Sequence, residues 1–96
     1  MKEIVLIGSG NMAIAYCEVL KSLNVSFTVV GNSKGKAKEF TDKTGKECIS
    51  GGIEKYLERI QRLPDYAIVA VQVEALFKVA TLLINKKIKL WLAIYH

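Results

Sequence analysis

Ninety-six residues are expected to form one domain with a single core, without room for a separate catalytic unit. Half of them are apolar (51 %), yet no uncharged apolar run reaches the roughly 18 residues needed to cross a bilayer, and a soluble, cytoplasmic chain with no membrane partner is expected. The net charge of +5 comes from lysines interleaved with acids; no arginine-rich arm, aromatic platform or helix-turn-helix pattern accompanies it, which argues against nucleic acid as a partner.

The chain opens on the apolar run Ile4-Val5-Leu6-Ile7, which leads directly into Gly8-Ser9-Gly10-Asn11-Met12-Ala13. This is G-x-G-x-x-A at a strand-to-helix turn, and each small residue has its own task there. Gly8 allows a sharp turn, Gly10 lets backbone approach phosphate oxygens, and Ala13 lets the following helix press against the strands. Ala13, Tyr16, Cys17, Leu20 and Leu23 then recur at helical spacing, as on a helix packed against a sheet. A second strand over 26–30 ends at Gly31-Asn32-Ser33 and completes a βαβ unit. The open amides and the dipole of the first helix would hold a diphosphate without a cationic side chain, so the turn reads as a dinucleotide cradle.

Residues 34–45 alternate charge with Ala37, Phe40, Thr41 and Thr44 at helical spacing and stop at Gly45. A short third strand is expected over 47–50, ended by Gly51-Gly52. A further amphipathic helix follows, marked by Ile53, Tyr56, Leu57, Ile60 and Leu63 and closed by Pro64. The nearly continuous apolar run 65–71 reads as a strand covered on both faces. Val73, Leu76, Phe77, Ala80, Leu83 and Ile84 form the last helical stripe, and a final apolar strand runs over 88–94. Strict β/α alternation predicts an α/β, Rossmann-like doubly wound parallel sheet in the order 3-2-1-4-5, with helices on both faces. Its crevice lies between the first and fourth strands. Gly8, Ser9, Gly10, Asn11, Met12 and Ala13, with Asn32, Ser33 and Lys34, and with Ala70, Val71 and Gln72, are expected to bind the cofactor there.

Many NAD sites carry a carboxylate at the end of the second strand. Here Asn32 holds that place, followed by Ser33, Lys34 and Lys36, which can donate to a 2′-phosphate. The expectation is NADP in preference to NAD, although Asn32 and Ser33 also suit a helix cap. Gln72 and Glu74 follow the fourth strand towards the nicotinamide end. Cys17 and Cys48 lack metal or redox spacing and read as buried thiols. The lone His96 is terminal, and Tyr16, Tyr56 and Tyr66 lie on apolar stripes, so no catalytic or metal-binding residue is assigned.

The layout resembles the N-terminal domain of the Gfo/Idh/MocA oxidoreductases. The likeness spans nearly the whole chain and is carried by residues 4–13, by the strand 64–71, and by the helix running from Val73 into Asn85-Lys86-Lys87-Ile88-Lys89-Leu90. It implies a Rossmann cofactor domain that joins a substrate domain. Members usually continue the last strand into Glu-Lys-Pro with a catalytic lysine, where this chain has Leu92-Ala93-Ile94-Tyr95-His96; the resemblance therefore implies a truncated domain, not catalytic alone. Gly-Ser-Gly-Asn-Met is also similar to the opening of pyrroline-5-carboxylate reductases, which implies NADPH and again a missing substrate half. A stand-alone nucleotide-binding or redox-sensing module is the alternative. The apolar segment 90–95 would form an uncovered edge strand, so a homo-oligomer or a separate substrate-domain chain is expected to pair with it.

Overall fold

The structure, a computed structural model, describes residues 2–93. The expectations placed on Ile94, Tyr95 and His96 lie outside those residues. Strand β1 (Ile4–Ile7) runs parallel between β2 (Phe27–Val30) and β4 (Tyr66–Val69), with Ile4 level with Phe27 on one side and Tyr66 on the other. Strand β3 (Cys48–Ile49) flanks β2 and β5 (Lys89–Leu92) flanks β4. The five-stranded order is thus β3-β2-β1-β4-β5, a Rossmann fold, as the alternation predicts.

Because successive side chains on a strand point to opposite faces, the apolar run of β1 serves two cores. Leu6 joins Val29 and Ile68 beneath helices α1 (Asn11–Ser22) and α2 (Lys34–Thr44), which contribute Ala13, Cys17, Leu20, Ala37 and Phe40. Val5 and Ile7 join Val30, Ala67 and Val69 on the other face, under Ile53 and Leu57 of α3 (Ile53–Arg59) and Leu83 of α4 (Val73–Asn85). Among the described residues, no helix is long and apolar enough to cross a membrane.

Several boundaries and stripes differ from the sequence reading. Helix α3 ends at Arg59, because Ile60 is extended (φ −85°, ψ 148°) and turns back onto the core; Leu63, expected on the helical stripe, is exposed. Tyr16 of α1 and Leu23 at its C-cap are exposed rather than packed, and Ala13, Cys17 and Leu20 are the residues of this stripe that are buried. On α4, Val73, Phe77 and Ile84 also face solvent.

Local chemistry fixes the remaining joints. Ser33 caps α2 by accepting the Lys36 N–H (3.2 Å), and Gly45 closes it in the left-handed region (φ 77°). The buried Thr44 hydroxyl donates to the Phe40 carbonyl (2.8 Å) and accepts the Lys46 N–H (3.1 Å), while Lys21 of α1 donates to the Thr44 carbonyl. At the amino ends of β1 and β4, the Glu3 N–H donates to Asp65 Oδ2 (2.9 Å), and the Asp65 N–H donates to the Glu3 carbonyl (2.9 Å). The Glu3 amide holds the Asp65 carboxyl below its usual range, aided by the nearby charges of Arg62 and Lys2.

Candidate functional site

Past the regular strands, ladder bonds continue at the carboxyl ends: Gly8 N–H to Val30 O (2.8 Å), Gly31 N–H to Ile49 O (2.7 Å), Ala70 N–H to Ile7 O (2.8 Å) and Ala93 N–H to Val69 O (2.8 Å). They hold the strand ends level. A cleft of about 790 Å³ opens above them. This is the place where the strand order reverses and where open α/β sheets bind ligands.

The two glycines of the turn have different reasons to be there. Gly8 is buried at φ +131°, and a Cβ on it would overlap the carbonyl of Ala70, so β1 and β4 can meet only over a glycine. Ala13 lies behind it, fully buried, with its methyl 3.5 Å from that same Cβ position. Gly10 is exposed, has an ordinary extended conformation (φ −90°, ψ −167°), and a Cβ on it would meet nothing within 4 Å. The fold makes no demand for glycine at this position.

Gly10 is also the N-cap of α1, without a side-chain cap bond and with no acidic residue in the first turn. The first i→i−4 bond joins the Ile14 N–H to the Gly10 carbonyl (3.0 Å), so the amides of Asn11, Met12 and Ala13 precede it. Donors at a helix amino end, next to an uncapped exposed glycine, favour an anion.

Of the expected site residues, the cleft brings together Gly8, Ser9, Gly10, Asn11 and Met12 with Asn32 and Ser33 on one side and Ala70, Val71 and Gln72 on the other. Ala13 stays in the core beneath. Lys34 lies outside the lining, and Lys36, the third residue of α2, lies within it. The helix rotation decides this: Ser33 is the cap, so the residue three further on returns to the cap's side. Val73, Glu74, Ala75, Leu76 and Val79 of α4 form the far wall, with Ile53 and Ala93 at the ends.

Sequence reasoning missed the part played by the Gly51-Gly52 pair. Both residues have positive φ (105° and 92°) and bond back to the second-strand tip, Gly51 N–H to Asn32 O (2.9 Å) and Gly52 N–H to Gly31 O (2.9 Å). A Cβ on Gly52 would come within 3.0 Å of Asn32 Oδ1. The pair thereby fixes the loop that carries Asn32. The signal was available: the rule that sites gather at strand carboxyl ends applies to the third strand as much as to the first.

Cys17 and Cys48 are free and buried, and burial pushes both thiols up from their usual range, which keeps them protonated and unreactive. Among the described residues, no cluster of His, Cys, Asp or Glu is arranged to hold a metal ion.

Fold and cleft together define a Rossmann domain whose glycine turn opens onto the crevice at the carboxyl end of the sheet. No protein-family model matches the chain, and no curated protein matches its sequence. Solved structures do match in fold. Prephenate dehydrogenase from A. aeolicus, in complex with hydroxyphenyl propionate and NAD+, superposes with a TM-score of 0.71 at 13 % identity, over 96 % of this chain and 33 % of that one. Apo saccharopine dehydrogenase (L-Glu forming) from Saccharomyces cerevisiae superposes with a TM-score of 0.69 at 20 % identity, over 100 % of this chain and 22 % of that one. The chain therefore spans a third or less of the length of these proteins.

Proposed function

We infer that residues 8–13 grip the diphosphate of a nicotinamide dinucleotide, and that the chain is a cofactor-binding domain of an oxidoreductase. Gly10 carries the reading. A residue that the fold leaves free to be anything is glycine at the helix end where a phosphate needs close backbone approach. The NAD+ held by the prephenate dehydrogenase neighbour supports the same cofactor class.

NADP is the proposed form in preference to NAD. At the adenosine end, Asn32 is neutral and Ser33 and Lys36 line the cleft, so a 2′-phosphate meets donors and a positive charge rather than a carboxylate. Of the two lysines that the sequence offers for this contact, Lys36 lines the cleft and Lys34 does not. In family terms the proposal is a Gfo/Idh/MocA-type N-terminal domain, with its substrate site contributed by another segment or chain and the β5 edge as the place for a partner. The cleft's own lining supports this division: its charged side chains are Lys36 of α2 and Glu74 of α4, and its other polar side chains, among them Asn11, Asn32 and Gln72, are uncharged. Hydride transfer also needs a substrate held against the nicotinamide.

Calorimetric titration with NADPH, NADP+, NADH and NAD+ tests both levels. Binding of the phosphorylated forms at least about tenfold tighter, roughly 1.4 kcal/mol, is expected. Tighter NAD than NADP would remove the 2′-phosphate pocket, and no binding of any form would overturn the cofactor reading.

A further inference from the structure

An apolar surface at the β5 edge of the sheet has no cover among the described residues. Along α4, Val73, Phe77, Ala80 and Ile84 recur at helical spacing on one flank. Val73 and Phe77 are each 81 % exposed and Ile84 is 62 % exposed. Leu76, Val79 and Leu83 face the sheet, and Glu74, Lys78, Thr81 and Asn85 take the solvent pole, so the stripe lies at the side of the helix. Helix α4 packs over β4 and β5. Leu90 and Leu92 of β5, level with Ala67 and Val69, lie on the same face of the sheet as α4, and Leu92 is exposed.

We propose that this edge is an isologous interface with a second copy of the chain. Strand β5 pairs antiparallel with β5 of the second copy about a twofold axis normal to the sheet, and the two α4 stripes close over the seam. The proposal rests on the fold and is independent of the cofactor reading.

Four observations select a second copy. Two helices, each over a β4–β5 pair, would be separated across the new strand pair by two strand spacings, about 9.6 Å, which matches the roughly 8–10 Å between packed helices. Residues opposite one another in an antiparallel pair share a face, so an axis through Trp91 sets Leu90 against Leu92 and sets Lys89 against Ala93 rather than another lysine. The Ile68–Trp91 register also puts the middle of α4 on that axis: three strand residues up to Val71 and six or seven helix residues back down from Val73 each span about 10 Å. Phe77 then meets the small Ala80 of the second copy, and Val73 meets Ile84. Finally, antiparallel helices bring Glu74 in the first turn level with Lys86 and Lys87 at the other helix's end, and their dipoles oppose favourably.

Sedimentation equilibrium without nucleotide over a wide concentration range tests the interface. Twice the chain mass is expected, and Phe77→Glu, which sets like charges across the seam, is expected to halve it while leaving the circular dichroism spectrum unchanged. Trp91→Cys is expected to form a disulfide-linked dimer under mild oxidation, whereas the native chain, with its thiols buried, is not. A monomer at every concentration would overturn the proposal and assign the edge to a different chain. A dimer that survives Phe77→Glu would overturn the α4 seam, and a dimer in which Trp91→Cys does not cross-link would overturn the strand pairing.

Discussion

Helices α2 and α4 cover opposite ends of the same sheet, and they use their apolar residues in opposite ways. Helix α2 is mostly charged, yet Ala37, Phe40 and Thr44 are all buried, and its ends are fixed by Ser33 and Gly45. Helix α4 is strongly apolar but fully buries only Leu83, leaving Val73 and Phe77 in solvent. The contrast separates two meanings of apolar periodicity. On α2 a few residues hold the domain together, whereas on α4 one flank serves the fold and the next presents a surface.

The largest expected effect tests how firmly the well-packed half depends on its turn. Gly8→Val forces a side chain into the Ala70 carbonyl at a φ that L-residues avoid, and should cost more than about 4 kcal/mol in urea unfolding, enough to unfold a domain of this size. Phe40→Ala should cost about 3–4 kcal/mol at any protein concentration, because its ring is fully buried. Phe77→Ala, an equal truncation on α4, should change the stability of the dilute monomer by less than about 0.5 kcal/mol. Equal costs for the two phenylalanines would erase the distinction between the helices.

Smaller effects sharpen it. Ser33→Ala removes the α2 cap and should cost about 1 kcal/mol by the same unfolding assay. The Asp65 carboxyl is depressed in the folded state by the Glu3 amide. Its contribution is therefore present above the ordinary carboxylate pKa of about 4 and is lost as pH falls through the lower folded value. Asp65→Asn should lower stability slightly in the neutral region, where that contribution is present, and leave it unchanged at the acid end, so that the acid limb of the stability-pH profile becomes shallower.

The strand order, the glycine turn and most core positions were legible because they depend on local rules. An apolar run such as β1 needs cover on both faces, and a doubly wound sheet provides it. The α4 and α1 flanks were not legible, since periodicity shows that a stripe is apolar and not what lies against it; Tyr16, Leu23 and Phe77 fit the pattern as well as Cys17 and Leu83 do. The sequence offered both Lys34 and Lys36 for the cleft, and which of them lines it turned on the rotation of one helical turn, which the cap residue sets. The bracing of Asn32 by Gly51 and Gly52 is a contact between separate loops, which local spacing does not show and which only the gathering of sites at strand carboxyl ends points to.

Gly10→Asp separates what the fold asks of the start of α1 from what a bound diphosphate asks of it. Aspartate is a favoured N-cap in a site where a Cβ meets no atom, so the thermal midpoint should hold or rise. A carboxylate among the phosphate donors should weaken NADPH binding by at least about a hundredfold in calorimetric titration. Unchanged affinity in this variant would contradict the assignment of the helix end as the diphosphate site.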